Sequence, residues 1–169
     1  MSKWLELQRS VTVELSNLRS ELECVQPLLD KLRLQEPDAI EIRAAAATLH
    51  AFYGGVERIL VLVAKSYGEP AGAASNWHRD LLAHMSGPGI DRRAMLSAQL
   101  REQLSEYLGF RHLFRHAYPM TLRWSRLRPL VEKLTTTVEQ FSREVETFLN
   151  AEQARGTVDD HEPTAGDDG

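Results

Sequence analysis

Residues 127–148 read LRPLVEKLTTTVEQFSREVETF, and their large apolar members are Leu127, Leu130, Val131, Leu134, Val138, Phe141, Val145 and Phe148. The steps between them stay close to the 3.6-residue turn of an α-helix, so one stripe of the helix is apolar and the remainder is charged or hydroxylated. Such a stripe must be buried against another element. The same stepping recurs near the start of the chain in Trp4, Leu7, Val11, Leu15, Leu18, Leu22, Val25, Leu29 and Leu32, where Pro27 leaves the period intact. No segment alternates with period two, and there is no Gly-rich phosphate loop and no repeat longer than a heptad. The expected fold is all-α.

Between these seams, Pro37-Asp38-Ala39-Ile40-Glu41 is a capping box: Asp38 can accept from the first free amides of a helix and Glu41 can reach back. The helix it opens carries Leu49, Phe52, Tyr53, Val56, Ile59 or Leu60, and Val63. Gly54 and Gly55 in its middle cost roughly 1 kcal/mol each relative to alanine, which close contact with another helix explains. After the breakers Gly68 to Gly72, Ser75 is a candidate cap for a short helix through Trp77, Leu81 and Leu82, ended by Gly87-Pro88-Gly89. Asp91 is the expected cap of a third long helix carrying Leu96, Leu100, Leu104, Tyr107 and Leu108, and Pro119 should close it near Tyr118. The sum is a bundle of four long helices plus one short helix.

A chain of 169 residues, 43% hydrophobic and 26% charged, fits one compact domain. The lone Cys24 excludes an intramolecular disulfide framework and a multi-cysteine zinc site. Lys3, Glu6 and Arg9 do not suit a secretory leader, and the longest purely apolar run, Ile59 to Ala64, is too short to span a bilayer. A cytoplasmic protein with no membrane association is expected. The net charge of −4 argues at first against a nucleic-acid partner. However, residues 151–169 hold six acids and only Arg155, a net of −5, leaving the first 150 residues at +1. With almost no large apolar residue, that tail is expected to be disordered, so the folded domain is read as 1–150 and the acidic tail as 151–169. Within the domain, Tyr107 to Val131 contains Arg111, Arg115, Arg123, Arg126 and Arg128 and no acid.

The histidines do not suggest a metal. His78 and His84 are six apart and face different sides of a helix, while His112 and His116 are four apart but surrounded by arginines that repel a divalent cation. No metal and no cofactor is expected. His50 reads as a packed, hydrogen-bonded histidine, and Ser75-Asn76-Trp77-His78-Arg79-Asp80 reads as a helix start around a buried tryptophan, without a catalytic role.

The informative stretch is FRHLFRHAYP, residues 110–119. An imidazole moves protons near neutrality, and a guanidinium steadies a phosphate whose charge grows in a transition state. Those are the groups needed to cleave RNA without metal. One His supplies one proton carrier, and a two-fold dimer joining two copies of this segment would supply another. On an ideal helix Arg111 and His116 lie about 140° apart. Either the helix unwinds before Pro119 or the working pair forms across a dimer. The plainer reading is a cation-rich helix end, which the outward-pointing carbonyls favour.

The order Arg111, four residues, His116, one residue, Tyr118, near the end of the third long helix, resembles the motif of HEPN-domain ribonucleases of the HepT-like toxin branch. Phe52-Tyr53 with Glu57-Arg58-Ile59, the stretch Trp77-His78-Arg79-Asp80-Leu81-Leu82, and Tyr107-Leu108-Gly109-Phe110-Arg111-His112 are similar as well, over roughly the first 150 residues. The resemblance implies a HEPN-like bundle and a toxin endoribonuclease, metal-independent and active as a homodimer, with Arg111 and His116 catalytic. It also implies a partner, an MNT-type nucleotidyltransferase antitoxin that places AMP on Tyr118. That group would add bulk and negative charge beside the arginines. The substrate would be tRNA or mRNA, with Arg115, Arg123 and Arg126 as candidates for holding it. Two other readings stay open: a non-catalytic HEPN-like module binding a nucleotide or RNA through the arginines, and a helical protein-interaction domain.

Overall fold

The computed structural model describes residues 3–72, 76–116 and 122–159, with side chains described to residue 155. Among these residues every regular element is a helix: α1 (Lys3–Leu34), α2 (Ala39–Ser66), α3 (Trp77–Met85), α4 (Ala98–His116) and α5 (Trp124–Asp159). Four long helices and one short one are therefore present, as the apolar stripes require. The α1 seam buries Leu7, Val11, Leu15, Leu18, Leu29 and Leu32, and Pro27 lies inside the continuous helix. The α5 stripe from Leu127 to Phe148 is buried throughout.

The central element is α2, which touches all four other helices. It starts at the capping box, where Asp38 accepts from the amides of Ile40 and Glu41 and the Asp38 amide donates to Glu41. By length and composition α2 could cross a membrane, but 61% of its most apolar window is buried inside the bundle, as befits a core helix. Gly55 explains its closest approach to α1. A methyl group there would sit 2.3 Å from Leu18 Cδ2 and 2.9 Å from its Cγ, so any larger residue would push the buried Leu18 side chain of α1 out of its place. Gly54 meets nothing closer than the flexible Arg58 side chain at 3.6 Å, and close packing does not explain it.

Tyr107 locks α4 to its neighbours. Its ring meets Phe52 edge-on at 5.0 Å, and its hydroxyl donates to the Leu130 carbonyl at 2.8 Å. Burial pushes that phenol up to about 12, so it stays neutral and keeps donating.

Several local expectations need correction. Asp91 does not start α4, which begins at Ala98. The cap is Ser97, whose hydroxyl accepts from the Leu100 amide at 3.1 Å and is itself held by Glu144 of α5. Asp91 instead belongs to an irregular segment wrapped around Arg92. Ser75 and Pro119 lie outside the described residues, and Asn76, next to α3, makes no side-chain cap.

The boundary at 150 also moves, because α5 continues to Asp159. The cause is Glu152, an acid that packs inward: its Oε2 accepts from the Tyr67 hydroxyl at 2.9 Å and from Arg155 at 3.0 Å, and Arg93 lies 3.4 Å from Oε1. A buried carboxylate with three partners replaces the apolar residue that the acidic composition lacks. The rest of the acidic tail, 160–169, lies outside the described residues.

Candidate functional site at the junction of three helices

Glu57 interrupts the apolar stripe of α2 between Val56 and Ile59. A carboxylate in that position is stable only if cations or donors meet it. Two do, one from each neighbouring helix. Arg111 of α4 donates from Nη1 to Glu57 Oε2 at 2.9 Å, and His78, in the first turn of α3, places Nδ1 2.5 Å from the same oxygen. Arg111 Nη1 and His78 Nδ1 are themselves 3.1 Å apart. The side chains of Arg111, Glu57 and His78 are 15%, 11% and 24% exposed, so the cluster is mostly desolvated but open on the histidine side.

At 2.5 Å a proton must lie between His78 Nδ1 and the carboxylate, since two lone pairs would repel. The Trp77 ring stacks on the imidazole with centroids 3.8 Å apart and planes at 30°. The field of the cluster reaches Tyr53, whose hydroxyl burial pushes upward, with Glu57 adding to the rise and Arg111 opposing it. The Arg111 Nε is buried without a partner among the described residues, so the guanidinium has donor capacity that Glu57 does not use.

Beyond Arg111, α4 stays helical through His116. It does not unwind within these residues, and no hydrogen bond links Arg111 to His116. The two sit on different sides of the helix: Arg111 faces inward, whereas His112, Arg115 and His116 are exposed. The His112 and His116 rings are 4.8 Å apart, an i, i+4 pair on the outer face. Arg123, just before α5, and Arg126, in its first turn, are exposed too. Tyr118 lies outside the described residues. Among those described, no group of three His, Cys, Asp or Glu side chains is arranged to hold a metal ion.

His50 departs from expectation. It packs against Phe114 of α4 at a ring distance of 5.2 Å, but its Nδ1 is buried without a hydrogen-bond partner. Burial, then Arg111 and Arg115, lower its pKa, while Glu57 opposes them. The folded protein thus binds a proton on His50 less readily than the unfolded chain does. Stability from this residue is constant above about pH 6.5, falls as pH drops from there to the depressed folded value, and then levels off. His50→Gln should therefore narrow the gap between the urea midpoints at pH 7.5 and pH 5.5 relative to the unsubstituted protein.

Sequence reasoning assigned no role to Glu57 or His78. The signal was present in both: an acid inside an apolar stripe demands a partner, and the first turn of α3 offers an imidazole. A family model described as HepT-like protein matches residues 44–152, which takes in most of α2, all of α3 and α4 and most of α5, and with them Glu57, His78, Arg111 and His116. No curated protein and no solved structure matches the chain.

Proposed function

The chain belongs to the HepT-like family of HEPN proteins, and from that membership we propose that it is a toxin endoribonuclease of a toxin–antitoxin pair, cutting RNA without metal. The observation that carries this reading is the placement of Arg111. It is mostly desolvated, oriented by Glu57 and set beside an imidazole. A guanidinium so held meets the growing charge of a pentacoordinate phosphorus without first reorganising, and low local polarity strengthens the attraction.

His116 is the proton carrier of this proposal. Because it faces away from Arg111 on the same helix, the productive pair is composite: Arg111 of one subunit works with His116 of the partner subunit in a two-fold dimer. The half-exposed Leu113, between His112 and Arg115 on the outer side of α4, suits such an interface. Arg115, Arg123 and Arg126 flank it and supply the electrostatic attraction for tRNA or mRNA. An MNT-type nucleotidyltransferase antitoxin silences the cytoplasmic enzyme by transferring AMP to Tyr118, setting a phosphate against the same cations.

Incubation of the purified protein with tRNA and mRNA in EDTA tests the reading. Cleavage with 2′,3′-cyclic phosphate ends is expected, and His116→Ala should abolish it while the dimer stays folded. Intact RNA would sink the ribonuclease reading. Equal cleavage by both proteins would remove His116 from the mechanism. Co-expression with the neighbouring nucleotidyltransferase followed by mass spectrometry reads the modification, and Tyr118 without AMP would remove that part.

A further inference from the structure

Cleavage of RNA through its 2′-hydroxyl needs two proton carriers, one to accept from the nucleophile and one to donate to the leaving oxygen. His116 supplies one. We propose that His78 supplies the other: it is the general base of the reaction, set beside Arg111 within one subunit and oriented by Glu57. This inference rests on the ribonuclease reading above and extends it to a residue outside the Arg111–His116–Tyr118 motif.

Two contacts lock the ring. Stacking on Trp77 fixes its plane, and the 2.5 Å contact to Glu57 fixes its rotation; in this proposal the ring proton is on Nδ1, facing the carboxylate, with Arg111 Nη1 donating to Glu57 rather than to that nitrogen. In the neutral ring the other nitrogen, Nε2, is then an acceptor, the state a base requires. A carboxylate that orients an imidazole also stabilises the imidazolium once it forms. Arg111, 3.1 Å away, places the phosphate-binding cation next to the base rather than across the molecule. Next to the pair, Glu57 and Trp77 line an open cavity of about 370 Å³ with Glu14, Arg58 and Lys65; His78 and Arg111 border it only through these two residues, and Arg58 is engaged by Glu14 at 3.0 Å.

In the reaction, His78 Nε2 takes the proton of the ribose 2′-hydroxyl as the 2′-oxygen bonds to phosphorus. The bond from phosphorus to the 5′-oxygen breaks, and that oxygen receives a proton from His116 of the partner subunit. The products are a 2′,3′-cyclic phosphate and a 5′-hydroxyl end. His78 has gained one proton and His116 has lost one, and exchange with water restores both.

The test compares the full-length protein with His116→Ala, His78→Gln and His78→Ala on one short RNA in EDTA. It is paired with binding to the same RNA carrying a 2′-deoxyribose at the cleaved position. Glutamine retains an N–H donor for Glu57, so His78→Gln should fold, bind the deoxy-substituted RNA within about twofold of the parent, and lose at least roughly 100-fold in kcat with KM little changed. Imidazole added to the buffer should restore part of the His78→Ala rate, a rescue that a merely structural histidine does not show. If the parent cleaves and His78→Gln keeps its kcat, the inference fails while the ribonuclease reading stands. The same follows if the loss appears in binding instead and imidazole restores nothing. If the parent leaves RNA intact, both fail together.

Discussion

Replacing Arg92 with methionine is expected to cost about 3–5 kcal/mol of folding stability, the size seen when one partner of a buried ion pair is removed. The Arg92 side chain is fully buried, and nearly all its donors are engaged. Its Nε donates to Glu69 Oε2 at 2.8 Å, Nη1 to the carbonyls of Gly87 and Arg93 at 3.0 Å each, and Nη2 to the His84 carbonyl at 3.1 Å. One guanidinium thereby ties the turn after α2 to the end of α3 and to the segment leading into α4. Glycine is needed beside it, because a methyl at Gly89 would lie 2.0 Å from Glu69 Oε1. Methionine fills a similar volume but leaves the Glu69 carboxylate facing only His84 and strands the carbonyls of Gly87 and Arg93, while the His84 carbonyl keeps the Gly87 amide. Arg92→Lys keeps the charge but not the planar fork, so its loss should be smaller. Urea unfolding reads both. The midpoint for Arg92→Met should fall well below that for Arg92→Lys with the slope unchanged, and an unshifted midpoint would contradict the role given to Arg92.

Arg92 also marks where sequence reading stopped working. The long helices were legible because an apolar stripe is a local property repeated over many turns, and the Asp38–Glu41 box because a cap is made within four residues. Gly55 was legible as a close approach, but the same reasoning fails at its neighbour Gly54, where a methyl would meet only the Arg58 side chain at 3.6 Å. By contrast, Asp91 resembled a helix cap, while the true organiser next to it, Arg92, acts through carbonyls that only the folded chain gathers. The acidic composition of residues 151–169 concealed Glu152, whose burial depends on Tyr67, 85 positions away. The candidate site divides in the same way. Arg111 and His116 announce themselves by spacing, whereas Glu57 lies 54 positions from Arg111 and 21 from His78, separations that carry no local signal. Total charge was the poorest guide, since a net of −4 coexists with an acid-free arginine segment.

On the proposed ribonuclease function, Arg111→Lys should lower the cleavage rate by about 10³-fold at saturating RNA, the scale on which cations aimed at a transferring phosphorus are valued. Lysine retains one positive charge, and Glu57 would capture it. Its ammonium is a single point, so it cannot hold the carboxylate and reach a phosphate oxygen together, as the forked guanidinium can. Stability should be nearly unchanged, because the buried Glu57 still meets a cation. Arg111→Ala separates the two roles. It removes the cation altogether, leaving Glu57 with His78 as its one remaining partner in the cluster, so it should destabilise the fold by about 1–3 kcal/mol in addition to losing cleavage. A site in which Arg111 only braces the bundle predicts the opposite pattern: Arg111→Lys would then cleave as well as the parent, and only Arg111→Ala would suffer, in proportion to its unfolding. Rate constants measured on protein shown to be folded at the assay temperature decide between them. The lysine variant carries the decision, since it holds the bundle together and changes only how many oxygens its positive charge can serve at once.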